Sequence, residues 1–199
     1  MDLPPIYLAN EFEPLPEELY SVESGKPFHS CITCHQPLLQ DGVNYLLEKA
    51  VRYYPEAKVQ DVIFEYAMCM NCAQQLREEL SQESKANIDA FFAERVNLVA
   101  RREALMALPD PLRLENWISH CLITGIPRTE CTEYQIYAQC DGHDLLYTYM
   151  PYMISSQAME EIQELISAHT RQVLDDFMDQ HFGLPPELRS LLQDKLVLI

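Results

Sequence analysis

The sequence predicts an α+β protein built from two hairpin-plus-helix units. Two observations carry this: strand-like alternation followed by a helical pattern occurs before residue 106, and the same order returns after residue 107. A third supports it, since apolar residues make up 48% of the 199 and are spread along the chain, enough for a substantial core. The expected segments are an acidic, proline-rich arm over 1–28, a first unit over 29–106, and a related second unit over 107–199 packed with the first as one body.

In the arm, Pro4, Pro5, Pro14, Pro16 and Pro27 enforce an extended path, with at most a helical turn at "PEELYSV". Its apolar residues Ile6, Tyr7, Leu8 and Phe12 imply that it lies against the body. "DGVNYLLEKAVRYY" and "VQDVIFEYAM", joined by "PEAK", read as a β-hairpin, because Val62, Phe64, Tyr66 and Met68 alternate with their neighbours at period two. From Cys72 to about Leu105 the apolar steps become three and four residues, interrupted by "SQES" with Ser84 as a candidate cap. "LPDPL" at 108–112 reads as a linker, with Asp110 and Pro111 opening a short helix that carries Trp117.

Beyond it, "EYQIYAQ" and "LLYTYM" flank Asp141-Gly142, a pair suited to a tight hairpin turn. One long helix is expected from about Ser155 to His181, stopped at Gly183 and followed by a last short helix. The repeated order extends weakly to the residues. "HSCITCHQPL" lies over "SHCLITGIPR", and "CMNCAQQLREEL" over "YMISSQAMEEIQ". This comparison sets Cys31 on Cys121, Cys34 on Thr124, Cys69 on Tyr152 and Cys72 on Ser155, so a duplicated second half would lack three of four thiols.

The cysteines carry the chemistry. Cys31 and Cys34 form one Cys-x-x-C pair, and Cys69 and Cys72 form another at a strand-to-helix junction. Two thiolates at this spacing reach the same side of a tight turn, and two such pairs complete a tetrahedral shell for one zinc ion. Seven cysteines in all, an odd number, suit a reducing compartment better than a disulfide framework. Knuckle, hairpin and a helix carrying the last ligands make residues 31–80 resemble the treble-clef zinc fingers. That resemblance implies one structural zinc per chain at Cys31, Cys34, Cys69 and Cys72. Four reduced buried cysteines, a redox pair and an iron–sulfur cluster are the competing readings.

Other candidates carry less. His29 and His35 flank the knuckle, but four cysteines already close the shell. Cys121, Cys131 and Cys140 have no close pairing and read as core. His143 sits across the tight turn from Cys140 with no third group to orient it. His169 is placed on the apolar face of the long helix. No catalytic constellation emerges.

With 14 Lys+Arg against 31 Asp+Glu, the chain carries a net charge of −17. Phosphate backbones repel such a chain, so nucleic acid is disfavoured as a partner despite the finger-like spacing. The N-terminal stretch has no basic and apolar signal regions, and no apolar run nears the roughly 20 residues that cross a membrane. A cytoplasmic location is expected. The sequence reading is a zinc-stabilised interaction or scaffold module that binds a protein partner or itself, with "KLVLI" and the 155–182 helix as candidate surfaces. The alternatives are a nucleic-acid-associated treble-clef factor and an enzyme with a cleft between the two halves.

Overall fold

A computed structural model describes residues 11–183. Its centre is an antiparallel hairpin of β2 (Asn44–Tyr54) and β3 (Val59–Cys69), preceded by a short β1 (Phe12–Pro14). β4 (Glu133–Asp141) pairs along the other side of β2, from Asn44↔Asp141 to Arg52↔Glu133. β5 (Asp144–Leu146) and β6 (Tyr152–Ser155) share the outer edge of β4. The described residues thus form a six-stranded sheet ordered β1-β5-β4-β2-β3, with β6 on β4. The fold is α+β, and both halves contribute strands to one sheet.

The period-two reading of β3 holds from Phe64 to Met68 and then fails at Val62. A β-bulge shifts the register, so that Ala50 faces Phe64 while Val51 faces Val62. The extra residue, Ile63, turns Val62 toward the opposite face from Phe64, which is the usual effect of a bulge on side-chain direction.

The first helical stretch is three helices: α1 (Met70–Glu79), α2 (Gln82–Arg95) and α3 (Leu98–Met106). Ser81, rather than Ser84, caps α2 by accepting the Ser84 N–H at 3.1 Å. Asn97 caps α3 in the same way at 2.9 Å. The linker leads to α4 (Leu114–Ile118), whose N-cap is Arg113 and not Asp110. The linker is tied down, since Trp117 donates its ring N–H to the Pro111 carbonyl at 2.7 Å. Arg101, stacked over Trp117, donates to the Trp117, Tyr149 and Pro151 carbonyls.

In the second half the tight loop is Gly142–His143, one residue later than expected, because Asp141 and Asp144 already pair as strand residues. Gly142 carries the positive φ of 54° that such a loop needs. The single long helix is two, α5 (Ser156–Gln163) and α6 (Ala168–Phe182). Ser155 and Ser167 cap them, which breaks a run whose apolar period alone reads as continuous. Gly183 ends α6 in the left-handed region, as expected. The last short helix and "KLVLI" lie outside the described residues.

The caps of α2 and α6 also meet. The Ser167 N–H donates to Ser84 Oγ at 2.8 Å, the Ser81 N–H donates to Thr170 Oγ1 at 3.0 Å, and the Ser81 and Ser167 hydroxyls lie 3.0 Å apart. α6 covers one face of the sheet, with Phe177 edge-on to Tyr66 at 5.5 Å and Phe182 against Phe64 at 5.8 Å. Met159, Ile162, Leu174, Phe177 and Met178 are buried there, so the candidate interaction surface on 155–182 is core. His169 is exposed and donates to the Glu79 carbonyl, off the apolar face where the period placed it.

The arm crosses the opposite face. Leu15 and Leu19 are buried, whereas Phe12 is exposed; Ile6, Tyr7 and Leu8 lie outside the described residues. A 3-10 turn at Glu17–Leu19 is the short helical turn expected in "PEELYSV". Lys49, only 4% exposed, holds this strap: its ammonium pairs with Glu65 at 3.1 Å and donates to the Tyr20 and Glu18 carbonyls at 2.6 and 3.1 Å. Its neighbour Glu48, on the other face, accepts a 2.5 Å hydrogen bond from Tyr66.

Candidate metal centre

Cys31 and Cys34 sit on a knuckle shaped by its backbone. The His35 N–H donates to the Cys31 carbonyl at 3.0 Å, the Cys31 N–H to the Gln36 carbonyl at 2.9 Å, and His35 takes a φ of 60° to close the turn. The Ile32 N–H, bonded to the Ala67 carbonyl at 2.9 Å, fastens the knuckle to β3. Cys69 ends β3 and is the N-cap of α1, and Cys72 lies in the first turn of that helix. One hairpin end and one helix start therefore bring sequence-distant pairs together.

All four sulfurs lie within 4.8 Å of one another, and Cys34 Sγ is 3.8 Å from Cys69 Sγ. Four sulfurs about 2.3 Å from a common tetrahedral centre stand about 3.8 Å apart. The donor set therefore fits a single soft metal ion. Cys31, Cys69 and Cys72 are buried and Cys34 is exposed, so the cluster opens to the surface at one corner.

Burial pushes the Cys31 thiol up, but N–H groups of Cys34, Cys69 and Thr33 and the Cys34 thiol more than offset this and lower it to about 7. The Cys69 N–H reaches the Cys31 sulfur at 3.4 Å. Burial raises the Cys72 thiol, and the neighbouring cysteines raise it further. Four thiols packed this closely resist ionising together without a cation, the same crowding that makes the set a good metal shell.

His29 and His35 are exposed beside the knuckle and lie outside the cluster. Cys121, Cys131 and Cys140 are buried, and burial raises Cys140 to about 12. Cys121 occupies a second knuckle. Its sulfur accepts from the Ser155 N–H and hydroxyl, each at 3.3 Å, and from the Thr124 N–H at 3.5 Å. The sequence reading missed this arrangement because Ser155 carries no metal-ligand signature.

A cleft of about 710 Å³ does have walls from both halves, Ala50 and Ile63 from the first and Tyr134, Gln135, Met159 and Gln163 from the second. Two charged groups in or beside it are held by the protein itself. Glu133 binds Arg52 at 2.5 Å, and Arg171 donates to the Gln163 carbonyl at 3.1 Å.

Comparison of the chain with protein-family models, with curated proteins and with solved structures returned no match.

Proposed function

We propose that this protein is a zinc-stabilised scaffold module of the treble-clef type, with one structural zinc held by Cys31, Cys34, Cys69 and Cys72. The single observation that carries the reading is four sulfurs within 4.8 Å of one another on a knuckle and a helix start. A multi-iron cluster holds its thiolates around several metal atoms and so spreads the sulfurs farther apart; this close spacing favours one ion. Four thiolates fill a tetrahedral shell and leave zinc with a net charge of −2, a poor Lewis acid with no position for water. The metal's role is then to join the knuckle, the end of β3 and the start of α1.

Such a module acts by binding, and a protein partner or a second copy suits a net charge of −17 better than a phosphate backbone does. The exposed rim of the centre, with Cys34, His29, His35 and Met70, is the surface that the metal itself shapes. The test is metal analysis of protein purified under reducing conditions. About one zinc per chain is expected, falling together with thermal stability in Cys69→Ser. Full zinc retention when all four cysteines are serine would overturn the assignment.

A further inference from the structure

The two knuckles are built alike, bond for bond. The Cys31 N–H donates to the Gln36 carbonyl, and the Cys121 N–H to that of Ile126; the His35 N–H returns to the Cys31 carbonyl, and the Gly125 N–H to that of Cys121. His35 and Gly125 take the same positive φ, 60° and 70°. The bridge Ser30↔Pro37 recurs as His120↔Pro127. Each knuckle is tied to its strand in the same way, Ile32 N–H to the Ala67 carbonyl and Leu122 N–H to the Met153 carbonyl. The Cys69 N–H points at the Cys31 sulfur at 3.4 Å, and the Ser155 N–H at the Cys121 sulfur at 3.3 Å.

The correspondence runs on into sheet and helices. Tyr45↔Cys69 and Leu47↔Ala67 match Tyr134↔Ser155 and Ile136↔Met153. Cys69 and Ser155 are the N-caps of α1 and α5, Ser81 and Ser167 those of α2 and α6. At the same spacing, Leu76, Ser84, Ile88 and Phe91 answer Ile162, Thr170, Leu174 and Phe177, and all eight are buried. Even a side-chain contact repeats, Lys85 to the Arg77 carbonyl and Arg171 to that of Gln163. The hydrogen bonds between the α2 and α6 caps are reciprocal, as they must be across a local two-fold axis. β2 and β4, antiparallel neighbours, satisfy the same axis where Glu48 faces Tyr137.

We infer that residues near 119–182 are a copy of the metal-binding half that has exchanged its ion for hydrogen bonds, and that its zinc-binding backbone survives. The four ligand positions of this latent site are Cys121, Thr124, Ser155 and Ala158. The register differs from the sequence comparison, which sets Tyr152 and Ser155 against Cys69 and Cys72. Cys69 follows Cys31 by 38 residues and Ser155 follows Cys121 by 34, whereas Tyr152 follows Cys121 by only 31. Ser155 is the substitute for the metal: its hydroxyl donates to the Cys121 sulfur at 3.3 Å while also capping α5. The site's ligand class is a tetrahedral, thiolate-seeking divalent cation, and three side chains separate the present protein from binding it.

The inference rests on the zinc reading of the first half, and one experiment separates the two. Zinc per chain is measured for the wild type and for Thr124→Cys/Ser155→Cys/Ala158→Cys, both purified reduced with zinc present, with cobalt(II) absorption reporting thiolate coordination. One zinc in the wild type and two in the variant are expected. Zinc in the variant alone would overturn the reading of the first half and leave this inference standing. Equal zinc in both would overturn the inference. If the triple variant does not fold, Ser155→Cys/Ala158→Cys decides, since three sulfurs still capture cobalt(II) with a fourth position open; failure to bind would refute the proposal.

Discussion

The first knuckle holds its sulfur among three other sulfurs, whereas the second holds its sulfur with a serine hydroxyl and two backbone N–H groups. The surrounding backbone is the same in both. The difference teaches that one turn geometry accommodates either filling. A metal shell concentrates stabilisation at one point and makes it depend on thiol ionisation and metal supply. Hydrogen bonds and a buried tyrosine pair, Tyr137 against Tyr152 at 5.4 Å, spread it over several weaker contacts.

The largest expected effect that breaks this contrast is loss of the first centre. Cys69→Ser should destabilise the protein by several kcal/mol and abolish its response to a chelator, while Cys121→Ser should cost about 1–2 kcal/mol and leave that response intact. Chelator titrations followed by circular dichroism test both. Next is Lys49→Met, which strands Glu65 and frees the arm from the sheet. A loss of about 3–5 kcal/mol is expected, with protease cleavage between residues 11 and 28 as the local readout.

Glu48 comes third. Burial raises its carboxyl to about 8, against which the Tyr66 and Tyr137 hydroxyls act only partly. The neutral acid is therefore favoured in the fold. The sign follows: this contribution is complete below the unfolded value near 4.5 and is lost as pH rises through about 8. Between those limits stability should fall by on the order of 4 kcal/mol relative to Glu48→Gln, which stays neutral. Parallel urea denaturation of both proteins from pH 4.5 to 9 checks this; identical slopes would refute it.

The smallest effects sharpen the symmetry. Ser81→Ala and Ser167→Ala should each cost about 1 kcal/mol as lost caps. Because their hydroxyls lie 3.0 Å apart, the double variant should lose less than the two single losses together. Strict additivity would mean that the caps act separately.

How far the sequence could be read follows from these same groups. Paired cysteines announce themselves by spacing, and the β2–β3 hairpin by alternation, so the first half was legible. Helix breaks were legible only in part: "SQES" marked the one before α2, with Ser84 in place of Ser81 as the cap, whereas Asn97 and Ser167 interrupt runs that keep their apolar period on both sides. The second half was harder still. Its β3 counterpart shrinks to β6, with β5 taking the rest of the β4 edge, so matching the second block by residue identity slips it by three residues and misses Ser155 as the partner of Cys69. Lys49 and Glu48, adjacent charges in a strand, gave no hint that each is buried on its own face.

The most direct test of the asymmetry between the halves is an anomalous difference map at the zinc edge from crystals of the wild-type protein. One peak per chain is expected, equidistant at about 2.3 Å from the sulfurs of Cys31, Cys34, Cys69 and Cys72. A map with no peak there, or with a peak at the Cys121 sulfur, would contradict the account.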